Sequence, residues 1–208
     1  MKNPIVTLGH NLLEHQSIYD AYQSCVGSVR YRRQLVSELV CKGFASYLDL
    51  GCGTASTVDL LPNSANYIGI DISKKYLFKA SQKRSGLKLI HGDISKKEWV
   101  SKVDIEKPTL CIALGIYHHL DDYQLNLMLE NCISVLPPGS QIFSMDPLIT
   151  AKSSRLAKWF AENDRGKFIR SPEEIEPFFV SKGLKIAYKS KTNQMRIPLD
   201  TLEFTVTI

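Results

Sequence analysis

Long apolar runs are missing from this sequence. The longest span about six residues, against the ~20 needed to cross a bilayer, so no membrane span is expected. Internal repeats, low-complexity tracts and linkers are absent too, which excludes solenoids and fibrous chains. Cysteine is scarce and lacks pattern. Cys25, Cys41, Cys52, Cys111 and Cys132 are an odd set, none forms a CxxC pair, and none has a histidine at zinc-finger spacing. A disulfide framework and a zinc module are thereby excluded, no metal is expected, and reduced thiols in a cytoplasmic protein are the expectation. The opening Met1-Lys-Asn-Pro-Ile-Val-Thr-Leu-Gly-His10 carries no apolar region or cleavage site, so no signal peptide is expected. One-sided charge is lacking as well: 26 Lys and Arg against 21 Asp and Glu leave +5 over 208 residues, which permits an anionic partner without requiring one.

What remains is ordinary globular composition, 44% hydrophobic and 23% charged, long enough to bury a core. Ile18 to Lys42 has helical periodicity through Val29, Leu35, Val36, Leu39 and Val40, with Gly43 at its end. Arg30, Arg32 and Arg33 fall on its other side, as a solvated face or as an arginine reaching over a ligand. From Ala45 onward short strands alternate with helices. Strands are expected at 47–50, 66–71, 87–93, 109–114 and 141–146, and two closing strands at 184–189 and 202–208. Helices are expected after Ser56, over 73–84, over 96–103, after the Asp121–Gln124 capping box, over 153–161 and from Ser171 to Lys182. Repeated strand–helix alternation implies a largely parallel sheet with helices on both faces. The chain reads as one domain: an N-terminal helical cap over 1–44, a core over 45–150, a helical insertion over 151–183 and closing strands over 184–208. Cap and insertion would lie at the C-terminal edge of the sheet, where open α/β sheets bind ligands.

The chemistry-bearing residues cluster at strand ends. Gly51-Cys52-Gly53-Thr54-Ala55 follows the first strand, with Asp49 two residues before it. Asp71 ends the second strand, about 20 residues on, where an acid commonly holds ribose hydroxyls. A dinucleotide fingerprint would need glycine at position 56, which is Ser56. His118 and His119 follow the fourth strand, and histidine can take a proton from a hydroxyl near neutral pH.

Tyr47-Leu-Asp-Leu-Gly-Cys-Gly-Thr-Ala55 resembles the first motif of the class I S-adenosylmethionine-dependent methyltransferases, with Ala55 in place of a third glycine. Tyr67–Asp71, Ile90–Ile94, Cys111–Asp122 and Leu136–Gly139 resemble the later motifs in order, and the tail resembles a subgroup of small bacterial methyltransferases. The resemblance implies a Rossmann-like, doubly wound, seven-stranded and mostly parallel sheet with a C-terminal antiparallel strand. It implies S-adenosylmethionine as cofactor, Asp71 on its ribose and Asp93 on its adenine amino group. Asp49, Gly51, Cys52, Gly53, Ile72, Ile94 and Leu114 complete the expected cofactor set. The expected function is methyl transfer to a small-molecule acceptor, a metabolite or sugar hydroxyl. RNA or protein methylation and a non-catalytic cofactor-binding module are the alternatives. Nucleic acid is disfavoured: the basic residues Lys74, Lys75, Lys79, Lys83 and Arg84 have only Tyr76 and Phe78 among them for stacking. His119 is the expected general base, with His118 turned toward the core and Asp146 or Asp164 next in line. Arg165 or Lys167 is expected either in an ordinary turn or on an anionic group of the acceptor.

Overall fold

The structure is a computed structural model that describes residues 28–163, 166–192, 194 and 199–208. The expected start of the first helix at Ile18, Cys25, Asp164, Arg165 and the Met195–Pro198 run lie outside the described residues. Five strands run parallel: β1 Ser46–Leu50, β2 Asn66–Asp71, β3 Lys88–His91, β4 Thr109–Leu114 and β5 Gln141–Leu148. Strand β7 (Asp200–Thr207) pairs antiparallel with β5 and also with β6 (Ile186–Lys191). The order is β3-β2-β1-β4-β5-β7-β6. The sheet therefore turns about β1, with β2 on one side and β4 on the other, and the crevice at such a switch point is where these sheets take ligands.

Alternation along each strand divides the core in two. Leu48, Leu50, Ile68, Ile70, Cys111 and Ala113 point to one face, where α3 (Asp122–Val135) and α5 (Pro172–Val180) bury Leu125, Met128, Leu129, Ile175 and Phe179 against them. Tyr47, Tyr67, Leu110, Ile112, Phe143 and Met145 point to the other. There α1 (Ser28–Val40) contributes Tyr31, Leu35 and Leu39, and α2 (Lys74–Ser81) contributes Leu77 and Ala80. Helix α1 is also tied by a buried polar contact, the Tyr31 hydroxyl donating to the Glu203 carboxylate on β7. Burial first, then this partner, push the Tyr31 phenol well above its ordinary range. The contact holds the N-terminal half of α1 across the C-terminal ends of the central strands.

The helix expected after Ser56 is a single 3-10 stretch, Ser56–Leu60, and so is the one at Lys97–Lys102. Each lasts only five or six residues. The first is entered from a left-handed Ala55 (φ 52°) and closed by Pro62, leaving no room for an i→i−4 ladder. The capping box at Asp121 forms as spaced: Gln124 N–H donates to Asp121 Oδ1 at 2.8 Å, and Gln124 Oε1 accepts from Asp121 N–H at 3.1 Å. Helix α4 (Arg155–Asn163) and α5 follow β5. Pro177 lies inside α5, yet Ile175 and Phe179 on either side of it stay buried.

Candidate functional site at the ends of β1, β2 and β4

Residues 51, 53 and 55 are all left-handed, with φ of 63°, 54° and 52°. Glycine adopts this without cost at the first two; at Ala55 the fold tolerates a methyl group, fully buried. The alternating turn brings backbone N–H groups to the end of β2. Gly53 N–H donates to Asp71 Oδ2 at 2.8 Å, and Ser73 N–H donates to Asp71 Oδ1 at 2.7 Å. Asp71 is 8% exposed. One carboxylate thus fixes both the glycine turn and the start of α2, and each oxygen keeps a lone pair for a ligand.

Asp49 stands beside Gly69 in the β1–β2 register. Tyr67, two residues back on the same face of β2, reaches over Gly69 and donates its hydroxyl to Asp49 Oδ2 at 2.8 Å. The passage needs Gly69: a Cβ there would lie 2.9 Å from Cys52 Sγ and 3.0 Å from the Tyr67 hydroxyl. Burial is the main force on Asp49 and raises its pKa to about 6. Hydrogen bonds from Tyr67 and Thr57 and the positive field of Arg32 pull it down, and Asp71 pushes it up. Burial likewise pushes the Cys52 thiol up, so this cysteine is a packing thiol and not a nucleophile.

These residues line a cavity of about 460 Å³ together with Arg32, Arg33 and Val36 of α1, Thr54, Thr57, Tyr76, Leu114, Gly115, Ile116 and His119. The volume is in the range of small-molecule and cofactor sites. Arg32 lies against the Cα of Gly115, and its buried Nε has no hydrogen-bond partner among the described residues. A buried unpartnered guanidinium nitrogen in a cavity is a recognition group for an anion.

Of the residues singled out from sequence, Asp49, Gly51, Cys52, Gly53, Asp71, Leu114 and His119 come together in this cavity. Ile72, Asp93, Ile94 and His118 are not among its described lining. Ile72 is 69% exposed beside Asp71, at the open end. Asp93 caps its own turn, its Oδ1 accepting from Ser95 N–H at 3.0 Å and from Ser95 Oγ at 2.7 Å. Ile94 packs in the core beneath the opposite face of the sheet. His118 is 4% exposed, and its Nδ1 lies 2.6 Å from Asp146 Oδ1, which also accepts the His118 backbone N–H at 3.1 Å. Ser144 Oγ in turn lies 3.1 Å from Asp146 Oδ2. The His118 and His119 rings are 4.1 Å apart, one on the carboxylate and one on the cavity. Lys167 is exposed. Among the described residues no group of three His, Cys, Asp or Glu side chains could hold a metal ion, and no helix is long and apolar enough to cross a membrane. Tyr67 as partner to Asp49 has no local signal in the chain, because the contact depends on strand register.

The Asp49 carboxyl has a consequence in the ligand-free protein. An acid whose folded pKa is raised from 3.8 to about 6 contributes its stabilisation fully below the unfolded value and loses it as pH rises through 6. Relative to Asp49→Asn, the parent chain should therefore lose about 2 kcal/mol of stability between pH 4 and pH 7. Urea unfolding of both chains across that range measures it; a constant difference would show an ordinary carboxylate.

Residues 48–139 match the family model of a methyltransferase domain. The fold is similar to the methyltransferase domain of a bacterial Hen1, with a TM-score of 0.63 and 15% identity over 86% of this chain and 98% of that one. It is similar to human N-acetylserotonin methyltransferase in complex with SAM, with a TM-score of 0.63 and 19% identity over 86% of this chain and 52% of that one. It is also similar to LepI in complex with SAM, with a TM-score of 0.60 and 17% identity over 79% of this chain; the chain spans only 43% of LepI. No curated protein matches the chain by sequence. Seven strands in the order 3-2-1-4-5-7-6, a glycine turn after β1 and the match over 48–139 agree: residues 48–139 are a methyltransferase domain, carried on the Rossmann-like fold of the S-adenosylmethionine-dependent methyltransferases.

Proposed function

We propose that the chain transfers a methyl group from S-adenosylmethionine to a small-molecule acceptor, a metabolite or sugar hydroxyl. The observation that carries the reading is the cavity, where acids at the ends of β1 and β2, an arginine of α1 and a histidine after β4 line one cleft. The chemistry of this donor set fits the cofactor. Asp71 has lone pairs to accept a ribose cis-diol. Asp49 and Arg32 are of opposite charge and close enough to influence each other, which suits the ammonium and carboxylate of an amino-acid end. Residues Ile72 and Asp93 border the end of β2 and β3, where the adenine would be held.

When bound, S-adenosylmethionine supplies an electrophilic methyl carbon whose bond to sulfur breaks with its electron pair left on a neutral thioether, so an acceptor must be aligned and, if a hydroxyl, relieved of a proton. His119 is the residue that takes that proton. It lines the cavity from the turn after β4, next to Gly115 and Ile116. Helix α1 borders the cavity with the apolar side chains of Val29 and Val36. Alignment of this kind contributes several kcal/mol to a barrier.

Incubation of the chain with methyl-labelled cofactor and a cell extract separated by size tests the reading. Label in the small-molecule fraction is expected. Label in RNA or protein would place the acceptor among macromolecules, as the exposed Lys75 and Lys79 on α2 would then help to explain. Cofactor binding with no transfer to any fraction would mark a non-catalytic module.

A further inference from the structure

Residues 166–170 cross the turn that carries His118 and His119. Phe168 N–H donates to His118 O at 3.0 Å. Arg170 Nη1 donates to Tyr117 O at 3.0 Å, and Arg170 Nη2 donates to Leu120 O at 2.8 Å. Three of the four carbonyls from 117 to 120 are thus held by one short segment. The remaining donors of Arg170 are also engaged. Its Nε and Nη2 donate to Asp122 Oδ1 at 3.1 and 2.7 Å, and its Nη1 donates to Phe168 O at 3.2 Å. All five N–H groups of the guanidinium have acceptors, which is rare outside a built site. The side chain is 9% exposed, with the Phe168 and Phe178 ring centroids 5.8 and 5.6 Å from its central carbon.

The same turn is gripped from within. Asp146 accepts both the ring and the backbone N–H of His118. Gly166 packs so closely on the His118 ring that a Cβ there would lie 1.8 Å from Cδ2. The 3-10 turn is closed by His119 N–H on Ile116 O and Leu120 N–H on Tyr117 O, bonds that fix its own shape and not its orientation on the fold. Its direction is set by these outside contacts, and the side chain they leave on the cavity is that of His119.

We infer that Arg170 is a positioning residue: by clamping the carbonyls of Tyr117 and Leu120 it fixes the histidine turn and thereby the place of the His119 imidazole in the cavity. The role of His119 as proton acceptor rests on the proposed function; the clamp itself does not. Lysine at position 170 would keep the charge beside Asp122 but present one point donor instead of a planar fork, so it should restore folding without restoring placement.

The experiment follows the His119 imidazole by NMR across pH 5 to 8 in the parent chain, Arg170→Lys and Arg170→Gln, with affinity for S-adenosylhomocysteine measured by calorimetry. Arg170 is not among the residues lining the cavity, so the affinity should stay within about threefold, while the His119 titration midpoint or chemical shift moves in both variants. With an acceptor in hand, turnover should fall on the order of 10²-fold with the KM for cofactor little changed, as for an ångström-scale misplacement. If Arg170→Gln fails to fold, Asp122→Ala removes the carboxylate that accepts from Nε and Nη2 of the clamp, on a 79% exposed side chain, and serves with the same readout. Unchanged His119 signals in folded variants would overturn the inference. Failure of the parent to bind S-adenosylhomocysteine would instead overturn the proposed function, and the histidine signals would still decide the clamp.

Discussion

Asp71→Ala should lower the affinity for S-adenosylhomocysteine by at least tenfold and destabilise the chain as well. The two effects have separate causes. A carboxylate that meets two ribose hydroxyls makes charge-assisted hydrogen bonds of roughly 1.5–3 kcal/mol each, and 1.4 kcal/mol is already tenfold. The stability loss comes from the other sides of the same oxygens. Gly53 N–H and Ser73 N–H, at 2.8 and 2.7 Å, lose their acceptor, and a buried orphaned donor costs about 1–3 kcal/mol. Asp71→Asn separates the two. Its carbonyl can keep one backbone donor, whereas its amide nitrogen repels the other and cannot accept from a hydroxyl. Calorimetry on both variants, beside urea unfolding, reads the two losses independently. An unchanged dissociation constant in folded Asp71→Ala would count decisively against the ribose assignment.

The strand ends were legible in the sequence because they combine two signals that do not depend on distant residues. A short strand such as Tyr47–Leu50, apolar but for Asp49, stops at a glycine turn, and an acid recurs about 20 residues later. Both are local in the chain, and the parallel register of β1 with β2 then places Asp49 and Asp71 on one face. Less legible were the 3-10 stretches. Ser56–Leu60 has apolar periodicity like a helix, but Ala55 enters left-handed and Pro62 ends it, so geometry overrides pattern. Least legible were contacts made across the fold. Tyr67 and Asp49 are 18 positions apart and meet only because Gly69 leaves space between them. Arg170 and Tyr117 are 53 positions apart, and nothing local marks Arg170 off from any other arginine before a capping box. Asp146 is legible as an acid at a strand end, but its hold on both the ring and the backbone of His118 belongs to tertiary structure.

The adjacent histidines should separate sharply when each is replaced. His119→Ala should lower methyl transfer by about 10²–10⁴, the usual contribution of a general base, if the acceptor is a hydroxyl. Cofactor affinity should stay close to the parent value, because the ribose and amino-acid contacts are proposed for Asp71, Asp49 and Arg32. His118→Ala should act on folding first. It removes the ring donor to Asp146, a carboxylate only 7% exposed, and a lost hydrogen bond to a buried charged group costs about 1.5–3 kcal/mol. Ser144 Oγ and the residue 118 backbone N–H remain on Asp146, so the loss should fall toward the lower end of that range. The measurement is a paired one: turnover and S-adenosylhomocysteine affinity for each variant, with the urea midpoint of each. A large midpoint shift for His118→Ala beside a large turnover loss at an unshifted midpoint for His119→Ala is the expected pattern. Near-normal turnover in His119→Ala would mean that the acceptor needs no base from this turn. The reaction would then rest on alignment alone, as it can for a thiolate or an amine that arrives already deprotonated.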